Sequence, residues 1–284
     1  MARLFFLTAL TMLAFAANSL LNRAALAGGE TGPAAFAAIR LISGALCLAV
    51  LVSLRGGLPR LAAPRRWIGT SMLALYVLGF SFAYVALDAG LGALILFGCV
   101  QVTMFGGALL TGERPTPARW FGAALAFGGL VWLMWPGAEA APDFAPALLM
   151  VLAGFGWGVY SLEGRRAAAP LGETTANFIC AAPVGLLVWL VLPDGLTLTG
   201  AMLAVLSGAL TSGLGYALWY SVLPRLDATV AALAQLTVPV IAVLGGVLLL
   251  AEPVTLRLVL ASAVILGGIA FGVLGQRKSG SSGS

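Results

Sequence analysis

The chain contains no histidine, three cysteines and little charge: 9% of its 284 residues are Asp, Glu, Lys or Arg. Each shortage excludes something. Without histidine there is no Ser–His pair and no imidazole ligand for a catalytic metal, so an intramembrane hydrolase has no evident apparatus. Cys47, Cys99 and Cys180 fall in apolar segments and form no motif. They read as small buried hydrophobes rather than a disulfide framework. A soluble domain carries about 25% charge, whereas this chain is 61% hydrophobic with a mean hydropathy of +1.05. That is the composition of a polytopic membrane protein. No apolar run holds a carboxylate near its centre, which argues against a dedicated proton relay. No ring-forming filter motif is present, which argues against a channel. The net charge of +5 reflects where the loops lie, not a nucleic-acid footprint.

Long apolar runs are what the chain has in plenty. Uncharged stretches cover 4–22, 67–87, 89–112, 120–138, 144–162, 174–193, 195–224, 228–251 and 258–276, and a tenth, 31–54, is interrupted by Arg40 alone. A spanning helix needs about 20 apolar residues. The runs lack two-residue alternation, which excludes a β-barrel and predicts an all-α membrane protein of ten transmembrane helices. The first run lacks a convincing cleavage site and is retained as a helix, and the tail 279–284 reads as a linker. Basic residues give the orientation. Arg55, Arg60, Arg65 and Arg66, then Arg114 and Arg119, then Arg165 and Arg166, then Arg277 and Lys278 mark one side. Asp88, Glu139, Asp143 and Asp194 mark the other, with Arg23 and Arg257 as exceptions. Both termini are therefore expected in the cytoplasm.

A repeat organises the chain. Residues 87–129 align without a gap on 226–268, at an offset of 139, with 14 of 43 positions identical. Asp88 matches Asp227, Gly106-Gly107 match Gly245-Gly246, Glu113 matches Glu252, and Gly128-Gly129 match Gly267-Gly268. Chance in so Ala-, Leu- and Gly-rich a chain gives about four or five matches. Five helices per repeat is odd, so the second half enters the membrane from the opposite side. The expected units are 1–139 and 140–278, an inverted repeat around a central cavity, as in transporters that alternate access.

Several residues stand out as candidates. Asn18 places an amide inside the first helix, where it must face the protein interior. Trp157 and Tyr160 lie in the sixth helix, its counterpart. Gln101 and Gln235 are polar groups deep in the fourth and ninth spans, and Tyr76 and Tyr220 are further cavity candidates; each could instead be an interhelical bond or an interfacial aromatic. Arg40 is the charge within a span, and its role is either structural, on helix-end carbonyls, or substrate carboxylate binding. Glu113 and Glu252 end matching helices, which suits an architectural tie better than an ion-coupling site. Pro183 and Pro239 lie inside spans and can bend them. The Gly pairs let helices approach closely.

Ten spans in two inverted halves, Arg40 in the second helix, and Pro239 followed by Glu252 resemble the drug/metabolite transporter superfamily, EamA type, over nearly the whole chain. Within it the chain is most similar to YddG-like exporters of aromatic amino acids. The resemblance implies that helices 1, 3, 4, 6, 8 and 9 surround the cavity, with 5 and 10 behind as supports. It implies export of amino acids or related metabolites across the bacterial inner membrane by a monomer without cofactor, metal or nucleic-acid partner. The first helix carries Asn18 and no acid, unlike the small multidrug-resistance branch, whose essential Glu lies there.

Overall fold

The computed structural model describes residues 2–57, 61–112, 114–135, 142–165, 167–226 and 228–280. Arg60, Glu113, Arg166, Asp227 and the expected repeat boundary near residue 139 lie outside them. All regular structure in the described residues is helical: α1 (Ala2–Ala27), α2 (Pro33–Ser53), α3 (Arg66–Ala83), α4 (Ala89–Leu110), α5 (Pro117–Leu133), α6 (Phe144–Arg165) and α7 (Pro170–Val191). One continuous run, Leu198–Arg225, follows, made of α8 (Leu198–Leu206), a π-helical segment (Ser207–Leu214), α9 (Gly215–Val222) and a closing 3₁₀ turn. Then come α10 (Ala228–Gln235), α11 (Thr237–Leu250) and α12 (Leu256–Gly280). Eight runs among the described residues are long and apolar enough to cross a membrane: α1, α2, α4, α6, α7, Leu198–Arg225, Val230–Leu250 and Leu256–Gly275. The remaining two, α3 and α5, have 18 and 17 residues.

The first helix carries polar side chains on its buried side and large apolar ones on its exposed side. Half of the buried residues of α1 are polar: Thr8, Thr11, Asn18, Ser19 and Asn22, beside Met12, Phe15, Ala16, Ala25 and Leu26. Phe5, Phe6, Leu10 and Leu13 of the same helix are exposed. In water that arrangement would be costly. In lipid it is the stable one, because polar side chains find partners only inside the protein. The protein is a multi-pass membrane protein.

Matched positions adopt matched local structures. Ala89 and Ala228 open α4 and α10, and Pro117 and Leu256 open α5 and α12, each pair at the offset seen in the sequence. Thr116 accepts the N–H of Arg119 at 3.3 Å, and Thr255 accepts that of Leu258 at 3.1 Å, so both helices carry the same N-cap at the same place. Gly112 and Ala251, the matched residues after α4 and α11, both have left-handed backbone, with φ of 80° and 53°. Packing follows the same exchange. α5 lies along α12, α2 along α7, and α4 along α11. α3 lies along α6, while Leu198–Arg225 lies along α1. Of the glycines expected at close approaches, Gly129 meets Ile265, Gly245 meets Leu20 and Gly268 meets the Gly122 backbone; Gly106, Gly128 and Gly267 face open space.

Proline shapes one span visibly. Pro239 has no N–H to give the carbonyl of Gln235, four residues back. The helix breaks there, between α10 and α11, and the Thr237 hydroxyl donates to Ala234 O instead. Pro183 leaves α7 as one helix.

Candidate functional site

Near the middle of α1, α2 and α3 a polar network is buried. Asn18 Nδ2 donates to Tyr76 Oη at 3.2 Å, and Asn18 Oδ1 accepts from Ser207 at 2.6 Å and Thr211 at 3.1 Å. Asn22 donates to the Asn18 carbonyl and accepts from Ser81. The π-helical segment makes this possible. Its widened turn brings Ser207, Thr211 and Ser212 inward together, all buried. Gly208 lets it approach closely enough that a Cβ there would collide with the Arg40 carbonyl and Ser43.

Arg40 is completely buried in this network. Its Nε donates to Ser212 Oγ at 3.1 Å and its Nη2 to Tyr76 Oη at 2.9 Å. The guanidinium lies 5.1 Å from the centres of both the Tyr76 and Phe80 rings. It reaches no solvent and caps no helix end. The structural role expected for it therefore takes another form: hydroxyls and rings hold it, because α2 buries its middle against Leu198–Arg225 and α7.

Aromatic rings close over the network. Trp157 stacks on Tyr160 at 5.5 Å and lies 5.0 Å from Tyr76 and 4.9 Å from Tyr216. Phe15 meets Trp157, Tyr216 and Trp219 edge-on. They surround a void of about 10 Å³, lined by Asn18, Tyr76, Trp157 and Tyr216 among others, room for at most a water molecule.

The larger openings lie towards the end that carries the basic loops. A cavity of about 480 Å³ is lined by Gln101, Phe105, Arg119, Arg165, Gln235 and Ile269 among others. A second, of about 310 Å³, is lined by Arg65, Arg66, Tyr160, Glu163, Glu173 and Tyr220 among others. Ion pairs Arg65–Glu163 (2.8 Å) and Arg66–Glu173 (2.5 Å) border it. The structure thus divides the expected site in three. Asn18, Tyr76 and Trp157 meet at the central void. Gln101 and Gln235 share the larger cavity, since Gln101 lies one turn beyond Leu96 and Phe97, which face the void. Tyr220 lines the second cavity, with Tyr160 between it and Trp157. The residues lining the central void come from α1, α3, α4, α6 and Leu198–Arg225; α5 and α12, expected behind as supports, contribute none of them and border the larger cavity instead.

At the other end, Glu252 clamps α4. Both its oxygens accept the Ala89 N–H, at 2.9 and 3.0 Å. That is the first N–H of a helix, where negative charge is favoured. Arg23 completes the clamp, paired with Glu252 at 3.3 Å and Asp88 at 3.1 Å and donating to the Tyr84 and Val85 carbonyls. Burial raises the Glu252 carboxyl above its ordinary pKa, against the opposing pull of the Ala89 N–H and Arg23. The other exceptional arginine, Arg257, donates to the Trp132 and Trp135 carbonyls at the end of α5.

Sequence reasoning missed Phe15, Asn22, Ser207, Thr211, Ser212 and Tyr216. Asn22 was discoverable, being one turn from Asn18 on the same face. The hydroxyls were not, because small polar residues in a span give no periodic signal.

Comparison with known proteins agrees with this architecture. Residues 145–274 match the EamA-like transporter family. An uncharacterized protein of Pseudomonas aeruginosa is 52% identical over 272 residues, covering 94% of this chain and 93% of the relative. An uncharacterized transporter of Archaeoglobus fulgidus is 25% identical, covering 84% of this chain and 87% of its own length. A solved structure described only as the crystal structure of a protein superposes with a TM-score of 0.71 at 24% identity, over 98% of this chain and 99% of the other. That likeness establishes the fold. With a multi-pass helical body, a family match across the second part of the chain and a close full-length relative, the chain belongs to the EamA-like transporter family.

Proposed function

We propose that the protein exports amino acids, aromatic ones included, from the cytoplasm by alternating access in the bacterial inner membrane. It does so as a monomer of ten spans, α3 and α5 included, in two inverted five-helix halves. The observation that carries this reading is the meeting of rings and an amide at the central void, where α1, α3, α6 and Leu198–Arg225 converge. An aromatic amino acid brings a ring, which stacks on Trp157, and a zwitterion, whose carboxylate needs donors such as the Asn18 amide and the Tyr76 hydroxyl. The matched caps and left-handed turns support the inverted repeat. The cavities at the basic-loop end, together with the Arg23–Asp88–Glu252 clamp at the other, support a cytoplasm-open arrangement. Gln101 and Gln235 then serve the entry route and not the deepest contact.

Purified protein in liposomes should give saturable efflux of labelled L-phenylalanine. Trp157→Ala should cut phenylalanine flux more than alanine flux, since a ring contact is worth about 1 kcal/mol beyond its area. Absence of saturable flux for every amino acid tried would sink the proposal. An unchanged phenylalanine-to-alanine ratio in the variant would remove Trp157 from the site.

A further inference from the structure

Arg40 carries a full positive charge in the middle of a spanning helix, and no carboxylate answers it. None of the ion pairs among the described residues includes it. Its neighbours are hydroxyls and rings: Ser212, Tyr76 and Phe80, with the Tyr216 hydroxyl in looser contact with both Arg40 and Tyr76. Nε and Nη2 are bonded, but Nη1 is buried and has no hydrogen-bond partner, and the same is true of Tyr216 Oη. Tying α2 to α3 and to the π-helical segment accounts for two of the guanidinium's nitrogens and leaves the third unexplained. A buried cation with a free N–H is costly unless an anion joins it.

We propose that Arg40, with Tyr76 and Tyr216, forms an anion subsite that takes the carboxylate of the transported solute. This rests on reading the molecule as a solute exporter with its site at the midplane, and it narrows the cargo to carboxylic acids and zwitterions. Tyr76 and Tyr216 line the central void, and Arg40 bonds Tyr76 from behind. A solute that parts the rings reaches two donors without well-formed hydrogen bonds, Nη1 and the Tyr216 hydroxyl, and a carboxylate has two oxygens to receive them. The ammonium end is treated differently. Asn18 Oδ1 is already engaged by Ser207 and Thr211, and no carboxylate stands in the apolar middle of any run. The site is therefore net positive. It accepts anions and zwitterions and rejects amines that lack an acid.

The test uses the full chain in detergent and in liposomes with four matched probes: 3-phenylpropionate, L-phenylalanine, L-phenylalaninamide and 2-phenylethylamine. Binding is read from tryptophan fluorescence and transport from counterflow. The two acids should bind at least about tenfold more tightly than the amide and the amine, about 1.4 kcal/mol. Arg40→Gln should erase that preference and Arg40→Lys should retain part of it. Tyr216→Phe, which keeps the packed ring, should reduce the acid-to-amide ratio several-fold even if the Arg40 variants do not fold. Equal binding of phenylalanine and its amide to the unaltered protein would overturn the subsite and leave the exporter reading intact. Transport of 3-phenylpropionate without any amino acid would do the reverse. Stabilisation by chloride or nitrate matching that by 3-phenylpropionate would mean an adventitious ion only, and would also overturn it.

Discussion

Arg23 and Arg40 sit in adjacent helices of one bundle, and the protein treats them in opposite ways. Arg23, near the end of α1, touches two carboxylates and two carbonyls. Arg40, in the middle of α2, touches two hydroxyls and two rings. The first cation is saturated by the protein itself, so its work is to hold α1, α4 and the end of α11 together. The second is left short of negative charge in the place where charge is most costly. Saturation at the edge marks architecture, and a deficit at the centre marks a place for something that arrives. The comparison also explains why Arg23 and Arg257 appear on the side poor in basic residues. Each is taken up by carbonyls at a chain turn or helix end, where a cation complements the helix dipole.

Removing Glu252 should have the largest effect on stability. Glu252→Ala leaves the Ala89 N–H without its acceptor and Arg23 short of one partner. The cost comes from those orphaned groups more than from the net worth of the ion pair. With Glu252 9% and Arg23 17% exposed, about 3 kcal/mol is expected, at the lower bound for breaking a buried pair. Thermal unfolding in mild detergent would measure it, and the acid-to-amide preference of the protein that remains folded should not move. A lost preference with unchanged melting would make the edge functional and break the comparison.

The midplane can be disturbed without touching a polar side chain. Gly208→Ala places a methyl against the Arg40 carbonyl and Ser43. The π-helical segment must then back away from α2 and take Ser212 with it. Overpacking of this kind costs about 2 kcal/mol. Both the unfolding temperature and the acid preference should fall, which separates this variant from Glu252→Ala. A protein that melts normally would mean the two helices are not in contact.

Much of the fold was legible because the sequence repeats its punctuation. Asp88 and Asp227 stand just before matched helices, and the paired glycines recur at the same offset, signals that need no knowledge of packing. The place of Glu252 just past a helix end was readable for the same reason, from its recurrence. The site was less legible. Gln101 and Asn18 both read as midplane polar groups, yet they open on different spaces, because a turn of helix separates the two levels and sequence gives no axial register between helices. Tyr216 and Phe15 were hidden by their setting, since an aromatic in an apolar run looks the same whether it faces lipid or a site. The partners of Arg40 depend on a π-helical segment made of small residues, which no period announces.

A gentler probe of the clamp is pH. Burial holds the Glu252 carboxyl above its ordinary value of 4.5. The folded protein therefore keeps this proton more tightly than the unfolded chain does. From 4.5 up to the raised value the folded state binds more protons, so stability falls as pH rises through that window and is level beyond it. The slope from one group cannot exceed about 1.4 kcal/mol per pH unit. Glu252→Gln should remove this component from the melting profile. A variant that melts with the same pH dependence as the parent would assign the slope to other groups.

The smallest expected effect is a gain, at the turn that aims Glu252. After α11 the chain reverses at Ala251, whose φ of 53° puts it in the left-handed region, and the Glu252 N–H returns to the Gly246 carbonyl at 3.1 Å. A left-handed residue closing a helix favours glycine because a Cβ in this conformation crowds the following carbonyl. Glycine is what the chain has at the matched position, Gly112. Ala251→Gly should relieve strain of about 1 kcal/mol in the folded state. Glycine's greater freedom in the unfolded chain takes back part of it, about 0.4–1 kcal/mol. The expected result is a rise in melting temperature of a degree or two at most, with Arg23, Glu252 and transport undisturbed. A clear loss of stability would mean that the alanine methyl is packed against a neighbour, and that the two turns are alike in backbone but not in purpose.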